Sequence, residues 1–205
     1  MNTSHKKLIY LGLGLVFVLI ATVIFLDPLK KPSTDRAFTD SVSQVSFTYP
    51  VTATLITNPE EMKGIGYFPT CNSDNAIACV YFASSTYPGS NFNSAGVTIR
   101  IARELATEDV CYTQTNQEQN TIEEVMIDGL PFASFGTGDA GMSKQSGGIN
   151  YRTFQNDMCY EVTTRVNTTT YEVSDPTEVS EFTESQKLEL VTQLVTTVRS
   201  VRIPR

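Results

Sequence analysis

The chain predicts an α+β domain, an antiparallel β-sheet covered by a C-terminal helix, preceded by one N-terminal transmembrane helix. Three observations predict it. Nineteen uncharged residues, Leu8 to Leu26, run without interruption near the start. From residue 44 onward, short runs alternate apolar and polar residues and are divided by turn dipeptides, the period of strands. Helical spacing of apolar residues appears convincingly once, close to the C-terminus. Many strands followed by one late helix suit a sheet with a helix laid on one face.

The apolar run comes first. At about 1.5 Å per helical residue it covers roughly 28 Å, close to the hydrocarbon thickness of a bilayer. Lys6 and Lys7 precede it and Asp27-Pro28 follow it. It is longer than the core of a signal peptide, and neither a small-x-small cleavage site nor a lipidation cysteine follows. The expected organisation is therefore a cytoplasmic tail, 1–7, a signal-anchor helix, 8–26, and a stalk, 27–41, rich in Pro, Ser, Thr and charge. The domain proper is expected at 42–205. Counting Lys and Arg on either side gives no orientation: Lys6 and Lys7 stand against Lys30, Lys31 and Arg36. A leader of seven residues stays readily in the cytosol, which places the domain outside.

Strands follow in order. Gln44–Val51 puts Val45, Phe47, Tyr49 and Val51 on one face. Ala76–Ser84 is an apolar run of strand length, and Ala95–Arg103 groups Val97, Ile99 and Ile101. Glu123–Ile127 meets Asp128-Gly129, a strong hairpin signal, and Leu130–Phe135 continues beyond it. Ile149–Gln155 and Met158–Val166 flank Asn156-Asp157, a second tight turn. Thr183 with Gln186 fits a capping box, and Leu188, Val191, Leu194, Val195 and Val198 then recur at helical spacing. A short strand over Val198–Ile203 is expected to close the chain.

The four cysteines, Cys71, Cys79, Cys111 and Cys159, stand 8, 32 and 48 residues apart with no CxxC. That spacing argues against structural zinc and for disulfides in an oxidising compartment. Of three connectivities, Cys71–Cys79 and Cys111–Cys159 are favoured: one closes a short polar loop, the other joins distant strands. The alternative is four free thiols in a cytosolic domain. The chain carries 15 basic and 22 acidic side chains. Beyond residue 31 there are 11 basic and 21 acidic ones, a net of −10. So acidic a domain suits neither nucleic acid nor anionic headgroups.

Chemistry is bounded by what is missing. The sole histidine is His5, before the apolar run. Residues 42–205 therefore hold no Ser-His-Asp or Cys-His catalysis and no histidine-bearing metal site. Ser-x-x-Lys fails, because Glu60, Gly141 and Glu184 stand three before Lys63, Lys144 and Lys187. Carboxylates are the remaining catalytic type. Glu60-Glu61, Glu108-Asp109 and Glu123-Glu124 are neighbours in sequence, so in strands their side chains diverge. Asp74 with Asn72 and Asn75 lacks the spacing of a calcium loop. Gly136-Thr-Gly138-Asp-Ala-Gly141 matches G-x-G-x-x-G after a strand, yet the helix that would hold a pyrophosphate does not follow. Gly136, Gly138, Asp139, Gly141 and Lys144 are instead expected to form a long hairpin loop, a candidate for recognition. Asn167-Thr168-Thr169 is a glycosylation sequon. No cofactor, catalytic or metal residue is assigned.

Some of these segments resemble a known family. Val45-Ser46-Phe47-Thr48-Tyr49-Pro50 resembles the opening strand of PsbP-like domains. Ile127-Asp128-Gly129-Leu130-Pro131-Phe132 is similar to a hairpin midway through them. Tyr151 and Cys159-Tyr160-Glu161-Val162 resemble the later strand pair, and the closing helix with Val201-Arg202-Ile203 the final elements. The resemblance implies an α/β/α-type sandwich around an antiparallel sheet. Members are best known as extrinsic photosystem II subunits, and many bacterial relatives are anchored or secreted. No Trp follows Tyr49-Pro50 here, and the four cysteines are extra; both departures speak against a photosystem role.

The functional expectation is a non-enzymatic domain tethered to the cell membrane through residues 8–26, extracytoplasmic, and binding or scaffolding an envelope protein or glycan. The alternative is a carboxylate-dependent hydrolase of envelope glycans, which requires two acidic groups converging in a pocket, one with a raised pKa. A pilin-like subunit would need the helix to continue past the membrane, and Asp27-Pro28 opposes that.

Overall fold

Three two-residue turns set the architecture. Asp128-Gly129, Met142-Ser143 and Asn156-Asp157 hold positive φ at both positions, between 50° and 74°. Such turns match the right-handed twist of the strands they join and so close tight hairpins. They link β6 (Glu118–Ile127), β7 (Leu130–Gly141), β8 (Lys144–Gln155) and β9 (Met158–Thr169) into one meander. The sequence predicts the first and third of these turns. The second carries Met and Ser where Asn or Gly is usual, so it gives no local signal.

The computed structural model describes residues 35–62, 70–71, 75–115, 118–170 and 179–205, with backbone alone for 119–122. The expected tail, the span 8–26 and the stalk as far as 34 lie outside the described residues. Among the described residues no helix is long and apolar enough to cross a membrane. The remaining elements are β1 (Asp35–Thr39), β2 (Ser46–Pro50), β3 (Thr54–Ile56), α1 (Pro59–Met62), β4 (Ala76–Ala83), a 3-10 turn (Ser84–Thr86), β5 (Phe92–Ile101), α2 (Glu108–Cys111) and α3 (Glu184–Arg199). Strands β1 and β2 pair with each other. The other seven form an antiparallel sheet in the order β3-β4-β5-β9-β8-β7-β6.

The sheet face toward α3 is the apolar one. Val97, Ile99, Phe132, Tyr160 and Val162 point there and pack with Leu190, Leu194 and Val198 of the helix and with Val45 and Phe47 beside it. Helix α3 starts where expected, with both arms of the Thr183–Gln186 capping box formed. Its buried stripe is Leu190, Leu194, Thr197 and Val198, whereas Leu188 and Val191 remain 70% and 44% exposed. The helix also runs on to Arg199, so no strand forms over Val198–Ile203. Only Arg202 pairs, through reciprocal hydrogen bonds with Ser46 of 2.8 and 3.1 Å.

Two further expectations need correction. The end of the proposed stalk is strand β1, with Phe38 opposite Phe47 and their rings 5.2 Å apart. Charge and hydroxyl content made that stretch read as linker, but one apolar anchor suffices to dock an edge strand. The second sandwich layer also holds no long helix among the described residues. Opposite α3 lie loops and the four-residue helices α1 and α2, tied down by cystines.

Candidate functional site

Strand alternation places Cys159, Glu161, Thr163, Arg165 and Asn167 of β9 on the face away from α3. Cross-strand partners share that face: Arg100 lies opposite Glu161 and Glu161 opposite Arg152, while Thr98 and Asn150 flank Thr163. Charged side chains in strand centres would ordinarily be solvated. Here two stapled flaps cover them. Cys111 of α2 bonds Cys159, and Cys71 bonds Cys79 of β4, so the favoured pairing is the one formed and no described cysteine is free.

Beneath the Cys111 flap sits a chain of ion pairs. The Glu161 carboxylate accepts from Arg100 Nε at 2.7 Å and from Arg152 Nε at 2.6 Å. Arg152 Nη2 donates to Glu118 at 2.5 Å, and Arg152 Nη1 donates to the Thr113 carbonyl at 3.2 Å. Asn150 Nδ2 donates to the same Glu118 oxygen at 2.8 Å, and Arg152 stacks 5.0 Å from the Phe135 ring centroid. Arg152, Glu161 and Glu118 are 2%, 4% and 5% exposed, so none of these charges reaches bulk water freely. Burial pushes the Glu161 carboxyl up, but Arg100 and Arg152 outweigh it and hold the group below the ordinary carboxylate range. A general acid needs the opposite. Glu161 is therefore held as an ionised bridge between Arg100 and Arg152 rather than poised to give a proton.

Under the Cys71 flap the contacts are neutral. Asn167 Nδ2 donates to Thr70 Oγ1 at 2.7 Å and to Ser94 Oγ at 3.1 Å, and Thr98 Oγ1 donates to the Thr70 carbonyl at 3.2 Å. Asn167 is 4% exposed, so the sequon is not presented for glycosylation in the folded domain. The carboxylate neighbours Glu60-Glu61, Glu108-Asp109 and Glu123-Glu124 all lie exposed on separate elements. Among the described residues no group of acidic, Cys or His side chains could hold a metal ion.

The expected recognition loop is not a loop. Gly136, Gly138, Asp139 and Gly141 lie within β7 and Lys144 opens β8, paired as Gly138 with Gly147, Asp139 with Ser146 and Gly141 with Lys144. A run of glycine and polar residues reads as irregular chain, whereas pairing of 138–141 with Lys144–Gly147 of β8, itself paired with β9, holds it extended.

The apolar face offers a concavity. A trough of about 360 Å³ runs between α3 and the central strands β8 and β9 of the sheet, lined by Gly147, Ile149, Tyr151, Val166, Val191 and Val195 among others. Burial raises the Tyr151 phenol, which stays protonated at neutral pH. Phe182 and Lys187 close one end and are shared with a polar pocket of about 440 Å³ bounded by Asn91, Gln145 and Thr168. Sequence reasoning missed both faces. The trough depends on Gly147 lacking a side chain beneath the helix. The buried charges did leave one signal: Cys159 shares the period-two face of Glu161, and a cystine there requires a covering segment.

No protein-family model and no curated protein matches the chain. Among solved structures it is similar to the solution structure of cyanobacterial PsbP (CyanoP) from Synechocystis sp. PCC 6803, at 13% identity and a TM-score of 0.42. That match covers 86% of this chain and 96% of the other. The likeness concerns a mostly antiparallel sheet with a C-terminal helix and gives no residue a role.

Proposed function

We propose that the chain is a membrane-tethered extracytoplasmic binding domain without chemistry of its own, and that it receives an apolar ligand group in the trough beside α3. The observation that carries this reading is the trough: a concave, almost wholly apolar surface between α3 and the central strands of the sheet, of the size that ligand pockets have. The tether rests on the uncharged run 8–26. The outside location rests on the cystines, which persist in oxidising compartments. Glu161 and Glu118, bound up with arginines, lend nothing to the hydrolase alternative.

The test is a partition assay with a neutral apolar dye, Nile red, on the full chain in detergent-free lipid nanodiscs. Gly147→Phe fills the trough, since a Cβ at Gly147 meets nothing within 4 Å. Dye emission above that of empty discs, lost in Gly147→Phe, supports the reading; equal emission from both proteins overturns it. Thiol alkylation of intact cells decides the location: four cysteines modified without reductant would place the domain in the cytosol.

A further inference from the structure

We propose that the trough beside α3 and the polar pocket at its end form one site for a neutral amphiphile, with an apolar chain in the trough and a hydroxyl-bearing head against Gln145 and Thr168. This rests on the reading of the trough as an apolar ligand site and adds the head. Strand alternation sets the order of the walls. On β8, Tyr151, Ile149, Gly147 and Gln145 share the face toward α3, about 6.7 Å from one to the next. On β9, Val166 stands opposite Gly147 and Thr168 opposite Gln145. Both strands thus turn from apolar to polar at the same step. Helix α3 turns with them, from Val195 and Val191 to Lys187.

The two cavities, of about 360 and 440 Å³, meet at Phe182 and Lys187, which line both. Each volume suits a small-molecule group. The strand leaves the junction open: a Cβ at Gly147 would meet no atom within 4 Å. Asn91 fixes the boundary. Its Nδ2 donates to the Thr169 carbonyl at 2.6 Å, and its Oδ1 accepts from the Phe182 amide at 2.6 Å. The segment leading into α3 is thereby tied to the end of β9. The Phe182 ring is held in turn by Tyr87 and Phe92, with centroids 5.0 Å away in each case.

The polar end has hydrogen-bonding capacity but no spare positive charge. Among the described residues, the Gln145 amide and the Thr168 hydroxyl have no side-chain hydrogen bond, so both can donate to a ligand hydroxyl and accept from it. The Lys187 ammonium is taken by Glu184 at 2.7 Å, and Glu181, which lines the same pocket, acts on it as a second carboxylate. A carboxylate or phosphate head would therefore meet net negative charge. A cationic head would meet Lys187 at the junction. Uncharged hydroxyls, which donate and accept, suit both neighbours.

The test is by NMR on the full chain in lipid nanodiscs. The Gln145 side-chain amide reports the polar pocket, and the methyl groups of Ile149, Val191 and Val195 report the trough. Decane, decanoylglycerol, decyl glucoside and decyl phosphate are added at equal mole fraction in the disc. Decane is expected to shift the methyls alone. Both neutral amphiphiles are expected to shift methyls and amide saturably, and to bind about tenfold or more tighter than decyl phosphate. The tighter of the two separates an acylglycerol from a glycoside. Gln145→Ala weakens both about fivefold, the value of one uncharged hydrogen bond, and leaves decane unchanged. Methyl shifts without an amide shift overturn the head while the trough reading stands. So do decyl phosphate bound as tightly as the neutral pair and a Gln145→Ala variant with undiminished affinity. Methyls that answer to none of the four compounds overturn both.

Discussion

Glu161→Gln isolates the most connected charge in the domain. Its carboxylate is shared by Arg100 at 2.7 Å and Arg152 at 2.6 Å and is 4% exposed. Removing one member of a buried ion pair costs about 3–5 kcal/mol, because the partner is left charged and desolvated. Two details favour the lower end. Arg152 keeps Glu118, and Arg100 keeps the rim contact with Glu104. The amide oxygen also still accepts one bond. The expected loss is therefore about 3 kcal/mol at pH 7. Glu184→Gln is the comparison: its pair with Lys187 is exposed, and such pairs contribute about 0.5 kcal/mol. Urea unfolding followed by far-UV circular dichroism measures both, since the chain has no Trp. The pH dependence carries a sign. Folding holds the Glu161 carboxyl below its reference value of 4.5, so its contribution is present in full above that pH. It is lost as pH falls through the folded value. The gap between wild type and Glu161→Gln should accordingly be widest above about pH 5 and close toward low pH. A gap under about 1 kcal/mol at pH 7, or one that widens on acidification, would refute the assignment of Glu161 as a buried ionised bridge.

Other expectations are simpler. Replacing Cys111 and Cys159 by Ser opens a closure of 48 residues and should lower stability by about 4 kcal/mol, against about 2.5 for the eight-residue Cys71–Cys79 closure, in reductant-free denaturant titrations. Equal losses would mean that the covering flap, not chain closure, dominates. Gly147 and Gly148 should behave oppositely although adjacent. Gly147→Ala gains up to about 0.5 kcal/mol by stiffening the unfolded chain, whereas Gly148→Ala drives its Cβ onto the Thr164 carbonyl and loses about 3 kcal/mol or more. Similar midpoints for the two variants would show that β8 and β9 do not approach closely there.

Much of the fold is legible in local chemistry. Asp128-Gly129 and Asn156-Asp157 announce their hairpins because those residues tolerate positive φ. The Thr183–Gln186 box marks the helix start because its two side chains satisfy backbone N–H groups that the first turn leaves unpaired. Met142-Ser143 shows the limit: nothing in that dipeptide favours the left-handed region, so only the pairing of β7 with β8 on both flanks holds it there. Helix α3 likewise reads as amphipathic, but its core stripe is rotated toward Leu190 and Thr197, leaving Leu188 and Val191 outside. Periodicity gives the width of an apolar stripe; the sheet beneath decides which edge is covered. The candidate sites were less legible. Arg100, Arg152, Glu161 and Arg165 alternate with core residues and so read as a solvent face, a conclusion reversed by flaps that are distant in sequence.

The amino-acid sequence alone settled the α+β class and most strand positions, along with the lack of imidazole chemistry in the domain. These follow from residue type and from spacing within a dozen positions. The tertiary structure decided which cysteines bond and which charges lose water. It also turned a glycine-rich stretch into paired strand and hollowed a trough beside α3. Those outcomes depend on separate segments meeting across one sheet, and the free energy of burying a charge or a groove belongs to that meeting rather than to either segment.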